Sequence, residues 1–349
     1  MTQLRVGVIG TGNPTKGASR MGYAMAYQHA DAYASLDNCQ LVACADIKQE
    51  NAEAFAKHYQ LPNFYLSHQE MLAQEDLDIV SICVWPHLHA RLVLDSIDAG
   101  VRAIHSEKPM ADTWGDAKRM VLTAEKDSVQ LTFNHQRRFG KPFSMAKDLL
   151  KSGQIGDLLR LEAACGDIYD YGTHYIDMFG FYNQDLPAKW VQGQIDYRTK
   201  NLVFGAMVEN QATALWEYQN GVFGFIATGL GSRSVGVHNR LVGTEGVIEV
   251  GTDNVHLRIQ RNGKSWETID TQGEHLHGPG FIERGIADLI NSLHDGTEPE
   301  LSGRRALNAT EIIFSIYESS RRRSRIDLPL DIDDNPLVEM VESGALQPE

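Results

Sequence analysis

At 349 residues, with 42% hydrophobic and 22% charged side chains, the chain is long enough for two domains with separate cores and carries neither low-complexity tracts nor repeats of solenoid period. A formal net charge of -14 argues against a surface built to neutralise nucleic-acid phosphates, and no stretch reaches the roughly 18 apolar residues of a membrane span. The start of the chain enters a strand without a signal-peptide pattern, and Cys39, Cys44, Cys83 and Cys165 lack Cys-x-x-Cys spacing, so a cytoplasmic protein without disulfides or metal is expected.

Leu4–Ile9 reads as a strand that runs into Gly10-Thr11-Gly12-Asn13, the opening of a dinucleotide-binding turn. One glycine lets the chain turn sharply out of the strand; a second lets backbone N–H groups approach a pyrophosphate at the next helix N-terminus. The third glycine of that pattern is displaced. The loop continues through Gly17, a helix is expected from near Ser19 as its N-cap, and Gly22 takes the helix-packing position. Leu41–Asp46 forms a second strand. Asp46 stands 24 positions after Gly22, close to the roughly 20-residue interval at which a carboxylate meets the adenosine ribose hydroxyls. It favours NAD; Lys16, Arg20 and Lys48 keep NADP as the alternative, and are otherwise solvated loop charges.

After a helical stretch ending near Tyr59, Asp78–Val84 is almost uniformly apolar, as a parallel strand buried on both faces should be. Alternation of such strands with helices predicts a doubly wound sheet. Trp85-Pro86-His87-Leu88-His89 is expected as a loop at its carboxyl edge, with His87 and His89 bounding the cofactor or serving structure. Val101–Ser106 is a further strand, closed by Glu107-Lys108-Pro109.

The segment Asp98–Pro109, with its terminal Glu-Lys-Pro, is similar to one of the Gfo/Idh/MocA oxidoreductase family, which includes glucose–fructose oxidoreductase and inositol dehydrogenases. Asn134–Pro142, Gly153-Gln154-Ile155-Gly156 and Gly243-Thr244-Glu245-Gly246 resemble later parts of that family. Asp170-Tyr171-Gly172-Thr173-His174-Tyr175-Ile176-Asp177 matches its Asp-x-x-x-His-x-x-Asp pattern. The resemblance implies an NAD(P)-binding Rossmann domain over residues 1–130 and an α+β substrate and oligomerisation domain over 131–349, whose large open sheet is mainly antiparallel and whose closing helix can pack back on the first domain. It further implies a homodimer or homotetramer, a Lys108 that lies beside both substrate hydroxyl and nicotinamide, and a cis bond before Pro109.

A helix from Asp170 would place Asp170, His174 and Asp177 on one face. Oxidising a secondary alcohol by hydride loss needs a base for the hydroxyl proton, and His174 suits that role by its intrinsic pKa. Lys108 would polarise the alkoxide, while Asp170 binds a neighbouring hydroxyl or sets the field at Lys108. Asp177 would orient the histidine or cap local structure, and Asp167 would serve as N-cap. Arg138 and Tyr171 complete the expected substrate contacts. Gly10, Thr11, Gly12, Asn13, Asp46, Trp85, Pro86, His87, His89, Glu107 and Lys108 are the expected cofactor contacts.

Beyond Leu202, Gln211–Tyr218 and Val222–Ala227 alternate as strands around Gln219-Asn220-Gly221. His275-Leu276-His277 lies in a loop before a helix starting near Phe281; Asn308–Arg323 is the last amphipathic helix, whose basic end complements the helix dipole; Arg325–Leu330 closes as a strand. The expected activity is hydride transfer between NAD(P) and a hydroxyl or carbonyl of a sugar, sugar derivative or cyclitol. NAD-dependent glycoside cleavage through transient oxidation, with Tyr169, Tyr171 or His277 serving the leaving group, and a non-catalytic NAD(P)-binding regulator are the alternatives.

Overall fold

The computed structural model describes residues 3–13, 24–252 and 254–349; the expected N-cap Ser19, the packing residue Gly22, and Lys16 and Arg20 lie outside them. The elements run β1 (Leu4–Ile9), α1 (Met25–Ala34), β2 (Cys39–Ala45), α2 (Gln49–Tyr59), β3 (Asn63–Tyr65), α3 (His68–Gln74), β4 (Ile79–Ile82), α4 (Pro86–Asp98), β5 (Ala103–Ser106), α5 (Trp114–Lys126) and β6 (Gln130–Phe133). They continue as α6 (Lys141–Lys151), β7 (Leu158–Cys165), α7 (Gly172–Tyr182), β8 (Ala188–Asp196), β9 (Leu202–Val203), β10 (Ala206–Met207), β11 (Gln211–Tyr218), β12 (Phe223–Thr228), β13 (Asn239–Gly243), β14 (Gly246–Val250), β15 (Leu257–Arg261) and β16 (Glu267–Thr268). The chain closes with α8 (Pro279–Asp295), α9 (Gly303–Arg322), β17 (Ile326–Asp327) and α10 (Pro336–Glu342).

Two units emerge: Met1–Ala111 with Asp116–Gln136 and Pro279–Gly303, and Asp112–Gly115 with Arg137–Gly278 and Arg304–Glu349. A single cut between residues 130 and 131 is therefore replaced by an interleaved division. The helix that returns to the first unit is α8, whereas α9 beyond its first residue and α10 stay with the second.

In the first unit the described strands form a parallel sheet in the order β3-β2-β1-β4-β5-β6. The order reverses between β1 and β4, and the crevice outside their carboxyl ends is where doubly wound sheets take ligands. Val6, Ile79 and Ala103 make one side of the core with Tyr33 of α1. Onto it α8 lays Ile282, Ile286, Leu289 and Ile290, which recur at helical spacing and so share one face. A bridge between Thr132 and Ser302 fixes the end of this returning segment.

The second unit holds a sheet in the order β16-β15-β14-β13-β7-β12-β11-β8-β17. Its neighbours are antiparallel except β12 and β7, so the sheet is mixed. Strand alternation sends Ala212, Ala214, Trp216 and Tyr218 of β11 inward, all buried. Phe179 of α7 lies against Trp216 at 5.5 Å between centroids, and Ser319 of α9 accepts the Gly193 N–H at 2.9 Å. Gly224 is required on β12, since a Cβ there would fall 2.1 Å from the Trp216 ring. The other face presents Leu215 and Phe223 to solvent, 37% and 36% exposed, beside a charge ladder in which Arg240 bridges Glu162 and Glu249 and Arg258 pairs with Glu249. The basic end of α9 is matched within the fold, Arg321 by Glu318 and Asp334 and Arg322 by Glu318. No helix among the described residues is long and apolar enough to cross a membrane.

Candidate active site

The glycine turn follows β1 as its sequence requires. Gly10 sits at φ 85°, a left-handed conformation that a side chain resists. A Cβ there would also meet Val84 Cγ1 at 2.4 Å and the Cys83 carbonyl at 2.7 Å. Gly12, at φ 60°, is open by comparison. Asp46, just beyond β2, faces this turn: its Oδ2 accepts the Thr11 hydroxyl at 3.1 Å and the Gly12 N–H at 3.0 Å, and its Oδ1 accepts the Lys48 N–H at 2.8 Å. Left-handed glycines at the switch point, with a carboxylate closing the next strand beside them, fit a dinucleotide with free ribose hydroxyls.

At the β4 end the expected loop is a helix. Trp85 is the N-cap and Pro86 occupies the first turn of α4, where its missing N–H costs nothing. His87 and Trp85 are exposed at this rim, and their rings meet edge-on at 6.1 Å. His89 does not join them. It is fully buried, with Nδ1 2.9 Å from the Pro109 carbonyl and Nε2 3.1 Å from that of Val84. Burial lowers its pKa despite those carbonyls. It staples the ends of β4 and β5 and has no surface left for a cofactor.

Glu107 and Lys108 continue β5, the Glu107 N–H bonding to the Ile82 carbonyl at 2.9 Å. The Glu107 carboxylate lies inside a polar network: Oε1 accepts from His29 Nε2 at 3.0 Å and Asn134 Nδ2 at 2.7 Å, and Oε2 from the Lys108 N–H at 3.2 Å. His29 places Nδ1 2.8 Å from the Ser81 hydroxyl and 3.4 Å from the Cys83 thiol. Burial alone would keep both groups neutral. Their contacts win: Cys83 and Glu107 raise His29 to about 10, while His29 and Asn134 hold Glu107 at about 2. An imidazolium–carboxylate pair therefore fixes the backbone that presents Lys108, whose side chain is half-buried and whose bond to Pro109 is cis. His105, neighbouring the pair, is driven down to about 3 by burial and by the His29 charge.

In the second unit α7 starts at Gly172, so His174 and Asp177 share the helix while Asp170 belongs to the turn before it. The expectation of all three on one helical face is corrected accordingly. Asp167 shapes that turn, accepting the N–H groups of Asp170 at 2.5 Å and Tyr171 at 3.1 Å. Beneath it Glu209, 1% exposed, accepts the Ile168 N–H at 2.7 Å, the Tyr317 hydroxyl at 2.8 Å and the Thr228 hydroxyl at 3.1 Å. Burial and the nearby Asp167 push its pKa up to about 8. Asp170 and His174 are themselves largely buried, as is Tyr169, whereas Tyr171 is 40% exposed.

Arg138 was expected on substrate, but the structure commits it to two carboxylates. Its Nε and Nη2 form a fork onto Asp177 at 2.8 Å each, and Nη2 also reaches Asp185 at 2.8 Å. Opposite charges at that range raise its pKa well above the ordinary value despite burial, and lower that of Asp185. Asp177 thus serves the arginine on the adjoining turn. His29 and Glu209 escape a reading of the sequence, because nothing local marks a histidine on an apolar helix face or a glutamate between short strands as the anchor of a distant motif. Among the described residues, no group of three or more His, Cys, Asp or Glu is arranged to hold a metal.

Two family models match the chain: the oxidoreductase family with an NAD-binding Rossmann fold over residues 4–135, and the C-terminal alpha/beta domain of that oxidoreductase family over residues 159–328. D-apiose dehydrogenase of Paraburkholderia graminis is 25% identical, aligned over 91% of each chain. Glucose-6-phosphate 3-dehydrogenase of Bacillus subtilis is 24% identical over 92% of this chain and 98% of its own. Levoglucosan dehydrogenase, solved with NADH and L-sorbose, superposes with a TM-score of 0.77 at 18% identity, covering 94% of this chain and all of that one.

Proposed function

We propose, on the premise that the chain belongs to the oxidoreductase family with an NAD-binding Rossmann fold and a C-terminal alpha/beta domain, that it passes a hydride between NAD and a secondary hydroxyl of a sugar, sugar derivative or cyclitol. The observation that carries this reading is the Glu107–His29–Asn134 network at the carboxyl end of β5. So costly a buried pair in that place is explained by the lysine it presents. Gly10, Thr11, Gly12, Asn13 and Asp46 hold the dinucleotide, with Trp85, Pro86, His87 and Glu107 toward its nicotinamide end; when bound, the cofactor supplies the hydride acceptor. Asp46 selects NAD, because its carboxylate would repel the additional phosphate of NADP.

Lys108 donates to the reacting hydroxyl and stabilises the alkoxide that develops as the carbon–hydrogen bond breaks. His174 takes the hydroxyl proton, and Asp170 accepts a hydrogen bond from a neighbouring hydroxyl. Tyr171 offers an exposed ring for a sugar face. The reading includes a homodimer or homotetramer formed through the open sheet face that carries Leu215 and Phe223, and a cytoplasmic setting, which keeps the four free thiols reduced. Absorbance at the reduced-nicotinamide band, followed while NAD or NADP is mixed with neutral and acidic sugars, cyclitols and aryl glycosides, tests the function. Reduced cofactor is expected, and is lost in Lys108→Ala. Aglycone release without net reduction would favour transient-oxidation glycoside cleavage; no turnover by an NAD-binding protein would favour a regulator.

A further inference from the structure

Arg137 precedes Arg138 on the same short turn, yet its electrostatic surroundings are opposite. Both guanidinium groups are buried, Arg137 to 2% exposure. Arg138 faces two carboxylates, whereas no ion pair joins Arg137 to any carboxylate among the described residues. Its Nη1 donates to His238 Nε2. The tautomer of that histidine is fixed by its Nδ1, which lies 2.7 Å from the Asn239 side-chain oxygen and donates to it. Burial, reinforced by the Arg137 charge, keeps His238 neutral. The Tyr175 ring stacks on His238 at 3.8 Å and 11° and lies 4.9 Å from the guanidinium carbon. Burial lowers the Arg137 pKa, opposed by the Tyr175 hydroxyl through charge and a hydrogen bond and, more weakly, by Cys165 and Tyr171. Both Asp167 and Glu209 act on Cys165, as Arg137 does, but neither is hydrogen-bonded to the guanidinium.

The arginine is thus held by neutral groups alone and keeps its charge, since a guanidinium does not deprotonate in proteins. Its Nε has no hydrogen-bond partner. Buried charges are ordinarily paired, and a buried unsatisfied donor calls for an explanation. The position supplies one. Tyr175 is the next residue after His174, and the exposed Tyr171 follows Asp170, so the cation lies among the residues that flank both members of the substrate motif.

We propose that Arg137 receives a carboxylate borne by the substrate, which makes the polyol acted on by this protein a sugar acid or a carboxylated cyclitol. The assignment rests on the oxidoreductase reading above. A planar fork with one positive charge matches a carboxylate in shape and charge. A phosphate dianion would call for more positive charge, and the adjacent Arg138 is already committed to Asp177 and Asp185.

The test is calorimetric titration of the full-length protein, saturated with NADH so that no oxidation occurs. The probes are D-glucuronate, D-galacturonate and D-gluconate, their neutral counterparts D-glucose and D-galactose, and D-glucose 6-phosphate. At least one carboxylated probe should bind roughly ten- to a hundred-fold more tightly than its neutral counterpart, the range of a charge-assisted hydrogen bond. Arg137→Gln should collapse that ratio toward one, and Arg137→Lys, which keeps the charge without the fork, should restore it only in part. Retained NADH binding and circular dichroism identify folded variants. The wild-type ratio requires no variant and decides the matter where substitution prevents folding. Equal affinity for acidic and neutral probes, a preference that survives Arg137→Gln, or tighter binding of the phosphate than of every carboxylate would each overturn the proposal. Binding is read without turnover, so a failed oxidoreductase reading would appear separately, as an absence of NAD reduction by any polyol.

Discussion

Glu209→Gln isolates the most strongly displaced acid beneath the substrate motif. With a carboxyl that keeps its proton to about pH 8 in the fold, against 4.5 as the ordinary value, the folded state binds more protons than the unfolded state throughout that interval. Its stabilising contribution is complete below about pH 4.5 and is lost as pH rises through about 8. The loss is roughly 1.4 kcal/mol per pH unit, several kcal/mol over the interval as an upper bound. Asp167, which raises this pKa, and Tyr317, which donates to the carboxylate, are the titratable groups acting on it from the turn and from α9. Glutamine mimics the neutral acid, so wild type and variant should melt together near pH 5 and diverge upward. By pH 9 the variant should melt several degrees higher, at roughly 2–4 °C per kcal/mol for a unit of this size. Differential scanning calorimetry from pH 5 to 9 reads this directly. Parallel curves would refute the reasoning, because they would mean that Glu209 is ionised under its turn at neutral pH.

His29→Leu leaves the Glu107 carboxylate buried beside Asn134 without its cation and should cost about 3–5 kcal/mol in denaturant unfolding of the first unit, with a fall in kcat in whatever protein remains folded. Arg138→Met removes the buried guanidinium fork from Asp177, while Asp185 keeps Arg305 at 3.1 Å, and should destabilise the second unit by about 3–5 kcal/mol; a raised KM at unchanged melting temperature would instead place Arg138 on substrate. Gly10→Ala forces a side chain into left-handed backbone and onto Val84. It should weaken NADH binding by about five-fold to about 150-fold in a fluorescence titration, in line with strain of about 1–3 kcal/mol.

Much of the first unit was legible because glycine chemistry and strand period are local. The strand Leu4–Ile9, its turn at Gly10 to Gly12, and Asp46 at the end of β2 all sit where the sequence places them. The motif Glu107-Lys108-Pro109 likewise follows β5 with the expected cis bond. Helix entry was less legible: Pro86 starts α4 immediately, turning an expected loop at His87 and His89 into a helix, and Asp170 stands outside α7 because Asp167 holds a turn there. The two neighbouring arginines are chemically alike in sequence. What separates them is Asp185, 47 residues on from Arg138, and His238, 101 residues on from Arg137. The return of α8 to the first unit is also a long-range event. Its apolar face at 282, 286, 289 and 290 is plain in the sequence, but its partners, Val6, Ile79 and Ala103, are not.

Hydride transfer itself is tested most directly by isotope. A polyol turned over with NAD would be deuterated at the carbon to be oxidised, and the nicotinamide product analysed by mass spectrometry. The account predicts reduced cofactor one mass unit heavier, formed in step with the carbonyl product, and neither species in Lys108→Ala. Turnover that releases the deuterium to water, or that proceeds unchanged without Lys108, would contradict it.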